Sequence, residues 1–195
     1  MIRVQVTERL IFEAEQLIDD PVNKTSKYWT KGTAEQRFIG ALGEIALIDY
    51  CWNNDLLAHK NNSFENDVML FSRHTIEVKT QKVTNAPEIH YRVNFPAKRK
   101  KNESSDFLFF THVQFVAGTA EAVWLLGGCS WDKFWRLSTF HNQGDPMMRH
   151  YADGNDIPSG RYFTSDCHDL PISQLAPPSA TLKHFKSLQE KEPTQ

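Results

Sequence analysis

The sequence predicts an α/β protein, and three observations carry that prediction. Two segments near the start, "TERLIFEAEQLIDD" and "TAEQRFIGALGEIALIDYC", repeat their apolar residues at helical spacing. From residue 55 to residue 126 the pattern changes to short runs rich in β-branched and aromatic side chains, bounded by Asn, Ser, Pro or Gly. A further amphipathic stretch, "ATLKHFKSLQ", follows near the end.

The elements follow in order. After a short "RVQV", a first helix over 7–20 places Leu10, Ile11, Ala14, Leu17 and Ile18 on one stripe. "PVNKTSKYWTKG" breaks that pattern, and a second helix starts at Thr33, an N-cap with Gln36 three residues on as a capping box. Its expected buried stripe is Phe38, Ala41, Leu42, Ile45 and Ala46, while Gly40, Gly43 and Glu44 fall on another side. An interior glycine costs a helix up to about 1 kcal/mol relative to alanine. Two beside a glutamate point to close approach by a strand or a ligand, or to tight packing alone. The strand segments are "DLLAHK", "NDVMLF", "TIEVKTQ", "IHYRVNF", "FLFFTHVQFV" and "EAVWLL", read as a mostly antiparallel sheet. "SWDKFWRLSTF" suits a short helix, and residues 141–161 are so rich in turn formers that they read as a long excursion of the kind that carries function.

Length and composition fit one domain over 1–195, with a core at about 33–127, the N-terminal helix at 7–20 and an accessory region at 128–195. At 40% hydrophobic, 24% charged and net charge −2, the chain is neither disordered nor a strongly basic nucleic-acid binder. Charges in "MIRVQVTERLIFEAEQ" argue against a signal peptide, and no apolar run could span a bilayer, so a cytoplasmic protein without membrane partners is expected. Cys51, Cys129 and Cys167 are odd in number and widely spaced, which suits reduced, structural thiols. The eight histidines show no pair at helical zinc spacing, and "GGCSW" lacks a nucleophile-elbow pattern. Trp124, Trp131, Phe134 and Trp135 are so dense that they read as core.

The chemistry concentrates in "HTIEVKTQ". In a strand, Glu77, Lys79 and Gln81 share one face while Ile76, Val78 and Thr80 take the other. If "NDVMLF" folds back through a three-residue turn at Ser72, Arg73 and His74, residue 69 faces 77 and residue 67 faces 79. Asp67 then lies on the face of Glu77 and Lys79, within about 7–8 Å of Glu77 along the diagonal. A two-residue turn would put it on the opposite face. Two converging carboxylates favour a hard divalent ion such as Mg²⁺. A lysine beside it can orient or help deprotonate an attacking water and offset charge in the transition state of phosphodiester hydrolysis.

An acidic residue followed by Glu-x-Lys on the next strand, behind a helix bearing Gly-x-x-Gly-Glu, resembles the PD-(D/E)XK nuclease superfamily. The matching pieces are "GALGE" with Glu44, "ND" with Asp67, and "EVK" with Glu77 and Lys79; Asn66 stands where many members have proline. The resemblance implies a restriction-endonuclease-like core, a central mixed sheet flanked by helices. It also implies a metal held by Asp67, Glu77 and the carbonyl of Val78, with Lys79 as catalytic lysine and Glu44 as an extra acidic member. Gln81 matches a polar position that some members place after the lysine. Glu65 competes for the role of Asp67 if the strand begins earlier.

The expected activity is therefore that of a Mg²⁺-dependent endonuclease, with Mn²⁺ as substitute and DNA rather than RNA as substrate. Lys82, Lys98, Arg99, Lys100 and Lys101 would contact backbone phosphates. Many members are dimers, which makes a homodimer a further expectation. The alternative is a nuclease-fold module that binds nucleic acid or protein without cutting. Intact Asp67, Glu77 and Lys79 argue against it.

Overall fold

A computed structural model describes residues 1–20, 32–61, 67–98 and 105–190. Strand β1 (Ile2–Gln5) leads into helix α1 (Glu8–Asp19), where Thr7 Oγ1 accepts the Leu10 N–H at 3.3 Å. Helix α2 (Ala34–Trp52) begins with the expected capping box: Gln36 N–H donates to Thr33 Oγ1 at 3.1 Å, and Thr33 N–H to Gln36 Oε1 at 2.9 Å. Leu10, Ala14 and Leu17 of α1 pack on α2, and Arg9 pairs with Asp49 across the two helices. Because α2 lies between α1 and a sheet, its burial is wider than one stripe and takes in Ile39, Gly43, Glu44, Leu47 and Ile48. Phe38 and Ile45 are only half-buried.

Strands β2 (Ala58–Lys60), β3 (Val68–Leu70) and β4 (His74–Val83) form an antiparallel meander. Strand β5 (Arg92–Pro96) follows, then β6 (Phe107–Val116) and β7 (Thr119–Ser130), a hairpin turning at Ala117 and Gly118, both left-handed (φ 49° and 88°). Among the described residues, six strands join in one sheet in the order β1-β7-β6-β4-β3-β2. The β4–β6 pairing is parallel, from Ile76 opposite Phe107 to Val83 opposite Gln114, and the sheet is therefore mixed.

The rest of the chain builds a second layer. Helix α3 (Trp131–Leu137), strand β8 (Thr139–His141), the β9 (Pro146–His150) and β10 (Asp156–Tyr162) hairpin, and β11 (Cys167–Pro171) precede helix α4 (Pro178–Gln189). Strand β5 leaves the row of strands that the sequence pattern suggests and pairs with β11 in a small sheet of order β5-β11-β8. A parallel pair cannot be joined by a tight turn. The excursion from β4 to β6 carries β5 into the second layer, where Val93 and Phe95 pack beside Phe110 and Phe134. Residues 141–161, expected as an irregular excursion, contain most of the antiparallel β9–β10 hairpin.

Two apolar cores flank the main sheet. One combines α1, α2 and α4 with Ile76, Val78, Phe109 and Val113; the other combines α3 and the small sheet with Leu108, Phe110 and Leu126. Phe95 packs edge-on to Trp131, Phe134 and Trp135, so this aromatic group is core. No described helix is long and apolar enough to cross a membrane.

Candidate active site

The β3–β4 turn sets the site's geometry. Phe71 and Ser72 are left-handed (φ 53° and 58°), and Arg73 N–H donates to the Leu70 carbonyl at 3.0 Å. The loop is Phe71–Arg73, one residue earlier than the sequence suggests, with Leu70 opposite His74 and Val68 opposite Ile76. Moving a loop by one position shifts the register by two residues, which preserves the face of every side chain. Asp67 stands one residue before this ladder, and its N–H donates to the Ile76 carbonyl at 3.2 Å.

Strand β3 starts at Val68, and beyond the Asp67 N–H bond the Asp67 carboxylate continues the contact with β4. Its Oδ2 accepts the Val78 N–H at 2.7 Å. A strand residue sends its N–H and C=O to the same side, so the Val78 carbonyl faces the Asp67 edge too. A carboxylate has about four acceptor sites, which leaves it able to hold a backbone N–H and ligate a cation together.

Glu77 is buried, at 2% exposure, and is paired with the Lys79 ammonium, which also lies 5.2 Å from the Phe95 ring centre. Glu44 reaches this cluster from α2. Burial holds its carboxyl well above the ordinary range, and Asp67 and Glu77 push it further up, against the opposing pull of Lys60 and Lys79. Three carboxylates thus face two ammonium groups. Lys60, at the end of β2, is itself pushed down by desolvation, opposed by Glu44, Asp20 and Asp67.

Gly43 explains how α2 comes close enough. A Cβ there would overlap the hydroxyls of Thr80 on β4 and Thr111 on β6, which are hydrogen-bonded to each other at 2.9 Å. Gly40 has open space beside it, so one of the two glycines expected to mark close approach does so.

Among the described residues no three His, Cys, Asp or Glu side chains form a ready coordination shell. A Mg²⁺ site built from two carboxylates, a backbone carbonyl and waters does not require one. Asp67, Glu77 and the Val78 carbonyl offer oxygen donors of the kind such an ion takes, and Glu44 lies close enough for Asp67 and Glu77 to raise its pKa.

The other expected residues are less gathered. Gln81 shares the face of Glu77 and Lys79, but its Oε1 lies 2.9 Å from His112 Nε2. Lys82 points to the α2 side, where it pairs with Glu35 and sits 4.3 Å from the Phe115 ring centre, away from Lys79. Lys98 is exposed just after β5. Arg99, Lys100, Lys101 and the competing Glu65 lie outside the described residues, as does Asn66. Cys51, Cys129 and Cys167 are buried free thiols, raised to about 12, about 11 and about 11, chiefly by desolvation.

Sequence reasoning misses Lys60, His112 and a polar group in the second layer. There Arg92 grips Asp169 with two bonds of 2.7 Å, and His141 Nε2 stands 3.1 Å from Asp169 Oδ1. The distance suits an ion pair, but His141 Nε2 lacks hydrogen-bond geometry. These groups line a cleft of about 890 Å³ between the face of Gln81 and His112 and the β9–β10 hairpin. The ionisable residue within the otherwise uncharged "FLFFTHVQF" is the available signal for His112. The chain matches no family model, no curated protein and no solved structure.

Proposed function

We propose that this chain is a metal-dependent nuclease that hydrolyses phosphodiester bonds in DNA on a restriction-endonuclease-like core. The observation that carries the reading is the Asp67 carboxylate on the Val78 N–H, between the paired Glu77 and Lys79, with Glu44 of α2 close enough to be shifted by all three. The mixed sheet with helices against it supports the same core.

Asp67, Glu77 and the Val78 carbonyl would hold Mg²⁺, with Glu44 contributing. The bound ion supplies Lewis acidity toward a phosphate oxygen and lowers the pKa of a bound water. In this scheme Lys79, paired with Glu77, orients the water by donating to it and offsets charge on the phosphate. Burial of Glu77 keeps bulk water from screening these interactions.

The test is incubation with circular and linear, single- and double-stranded DNA and with RNA, in Mg²⁺, Mn²⁺ or EDTA, beside Glu77→Ala and Lys79→Ala. Cleavage of DNA in Mg²⁺ and its loss by about 100-fold or more in both variants is expected. Survival of every substrate, or variants that cut like wild type, contradicts the reading.

A further inference from the structure

The cleft beside Gln81 continues along β5. In that strand Arg92, Asn94 and Pro96 turn away from the apolar side of Val93 and Phe95. Arg92 and Asn94 line the first cleft, while Asn94 and Pro96 line a second of about 600 Å³ that adds Arg161 and Tyr162. Met147 and Phe163 of the hairpin side also belong to both. The two clefts therefore form one groove between β5 and the β9–β10 hairpin. At one end Gln81 follows Lys79 by two residues on the same strand face, about 7 Å along β4. Past the other end Lys98 is exposed. The hairpin reaches toward the segment before β5. Asp153 near its tip is held below the ordinary carboxyl range chiefly by hydrogen bonds from Asn155, with a smaller pull from His90.

Charge and aromatic surface restrict the ligand. Each acid that lines the groove faces a partner: Glu88 lies 3.7 Å from His90, Asp156 lies 2.7 Å from His150, and Asp169 is gripped by Arg92. Arg149 and Arg161 are exposed and have no acid partner among the described residues, one in each cleft. Beside them Tyr151 and Tyr162 are 43% and 63% exposed, also one in each cleft. Exposed rings and unpaired cations repeated along a groove suit a polyanion with stackable bases. Volumes of about 890 and 600 Å³ lie in the small-molecule range, roughly 300–1,000 Å³. They suit unpaired nucleotides in single file rather than a double helix.

We propose that this groove binds a single-stranded segment of the DNA substrate, with bases stacked on Tyr151 and Tyr162 and phosphates met by Arg149 and Arg161. The inference rests on the nuclease reading, since it makes the groove the path by which the strand reaches the phosphate site at Lys79. Every base has a face to stack, so the groove selects single strands without selecting sequence.

The test measures binding of labelled oligothymidylate, and of a hairpin duplex with as many nucleotides, to the full chain in EDTA by fluorescence anisotropy over a salt series. Oligothymidylate should bind about tenfold or more tightly than the duplex. Arg149→Gln combined with Arg161→Gln should weaken it about tenfold and lower the slope of log affinity against log salt by about 1.4, the share of two phosphate contacts on a single strand. Tyr151→Ala and Tyr162→Ala, exposed changes on the hairpin, should each weaken it about fivefold or more. An unchanged urea midpoint shows that each variant is folded. Duplex binding as tight as single-strand binding, absence of single-strand binding, or an affinity untouched by all four substitutions overturns the groove. Single-strand binding lost in the arginine variant, with no cleavage of any substrate in Mg²⁺ or Mn²⁺, upholds the groove and removes the nuclease reading. Cleavage that depends on Glu77 and Lys79, without single-strand preference, does the reverse.

Discussion

Glu44 stands where two unfavourable effects add: desolvation within the protein, and repulsion from Asp67 and Glu77. Its raised carboxyl pKa has a consequence for stability. Between the ordinary value of 4.5 and the raised one, the folded chain binds a proton that the unfolded chain has lost. Stability contributed by this group is therefore present below pH 4.5 and declines as pH rises through that window. Glu44→Gln should flatten this decline in urea denaturation series and leave the variant more stable than wild type at neutral pH in EDTA. A variant with the wild-type slope would deny Glu44 that role. At its neighbour, Gly43→Ala should destabilise by about 1–3 kcal/mol, because the added methyl meets two strand hydroxyls rather than flexible side-chain ends. Urea midpoints measure this as well. The helix start at Thr33 and the close approach at Gly43 were legible because capping and tight packing leave residue-type signatures. Lys60 was not, since a single lysine at a strand end looks the same in sequence whether it is solvated or drawn under a helix.

The β3–β4 hairpin shows what patterning conveys at the level of elements. Alternation gave the face of Glu77, Lys79 and Gln81, while Asp67, just before β3, holds the Val78 N–H, and the loop lies one residue earlier than expected. Parity survives such a shift where exact partners do not. The loop itself gave no warning, because Phe71 and Ser72 are poor residues for left-handed backbone. Ser72 is exposed and held at φ 58°, so Ser72→Gly should raise stability by about 0.5–1 kcal/mol, read as a higher urea midpoint. An unchanged or lower midpoint would argue that Ser72 carries no such strain. Strand β5 was recognisable as a strand but not as a member of the second layer. Its alternation of Val93 and Phe95 fits an apolar partner on either sheet, and the pairing with β11 depends on residues more than seventy positions away.

For the molecule as a whole, the mixed sheet divides two kinds of work. One face is closed by α1, α2 and α4, and through Gly43 that packing draws Glu44 toward the hairpin. The other is roofed by α3 and the small sheet, with the β9–β10 hairpin leaving a cleft beside Gln81 and His112. The α/β class was legible from the change in periodicity after the second helix. The parallel β4–β6 pair was not, because strand patterns carry no direction, and neither was the hairpin hidden among the turn formers of residues 141–161. Both layers are arranged around one claim, that Asp67, Glu77 and Glu44 form a divalent-cation site beside Lys79. Titration of the metal-free protein with Mn²⁺, followed by electron paramagnetic resonance, measures it directly. Saturable binding at neutral pH, weakened at least tenfold in Asp67→Ala and in Glu77→Gln, is the predicted result. Absence of saturable binding, or affinities unchanged by both substitutions, would contradict it.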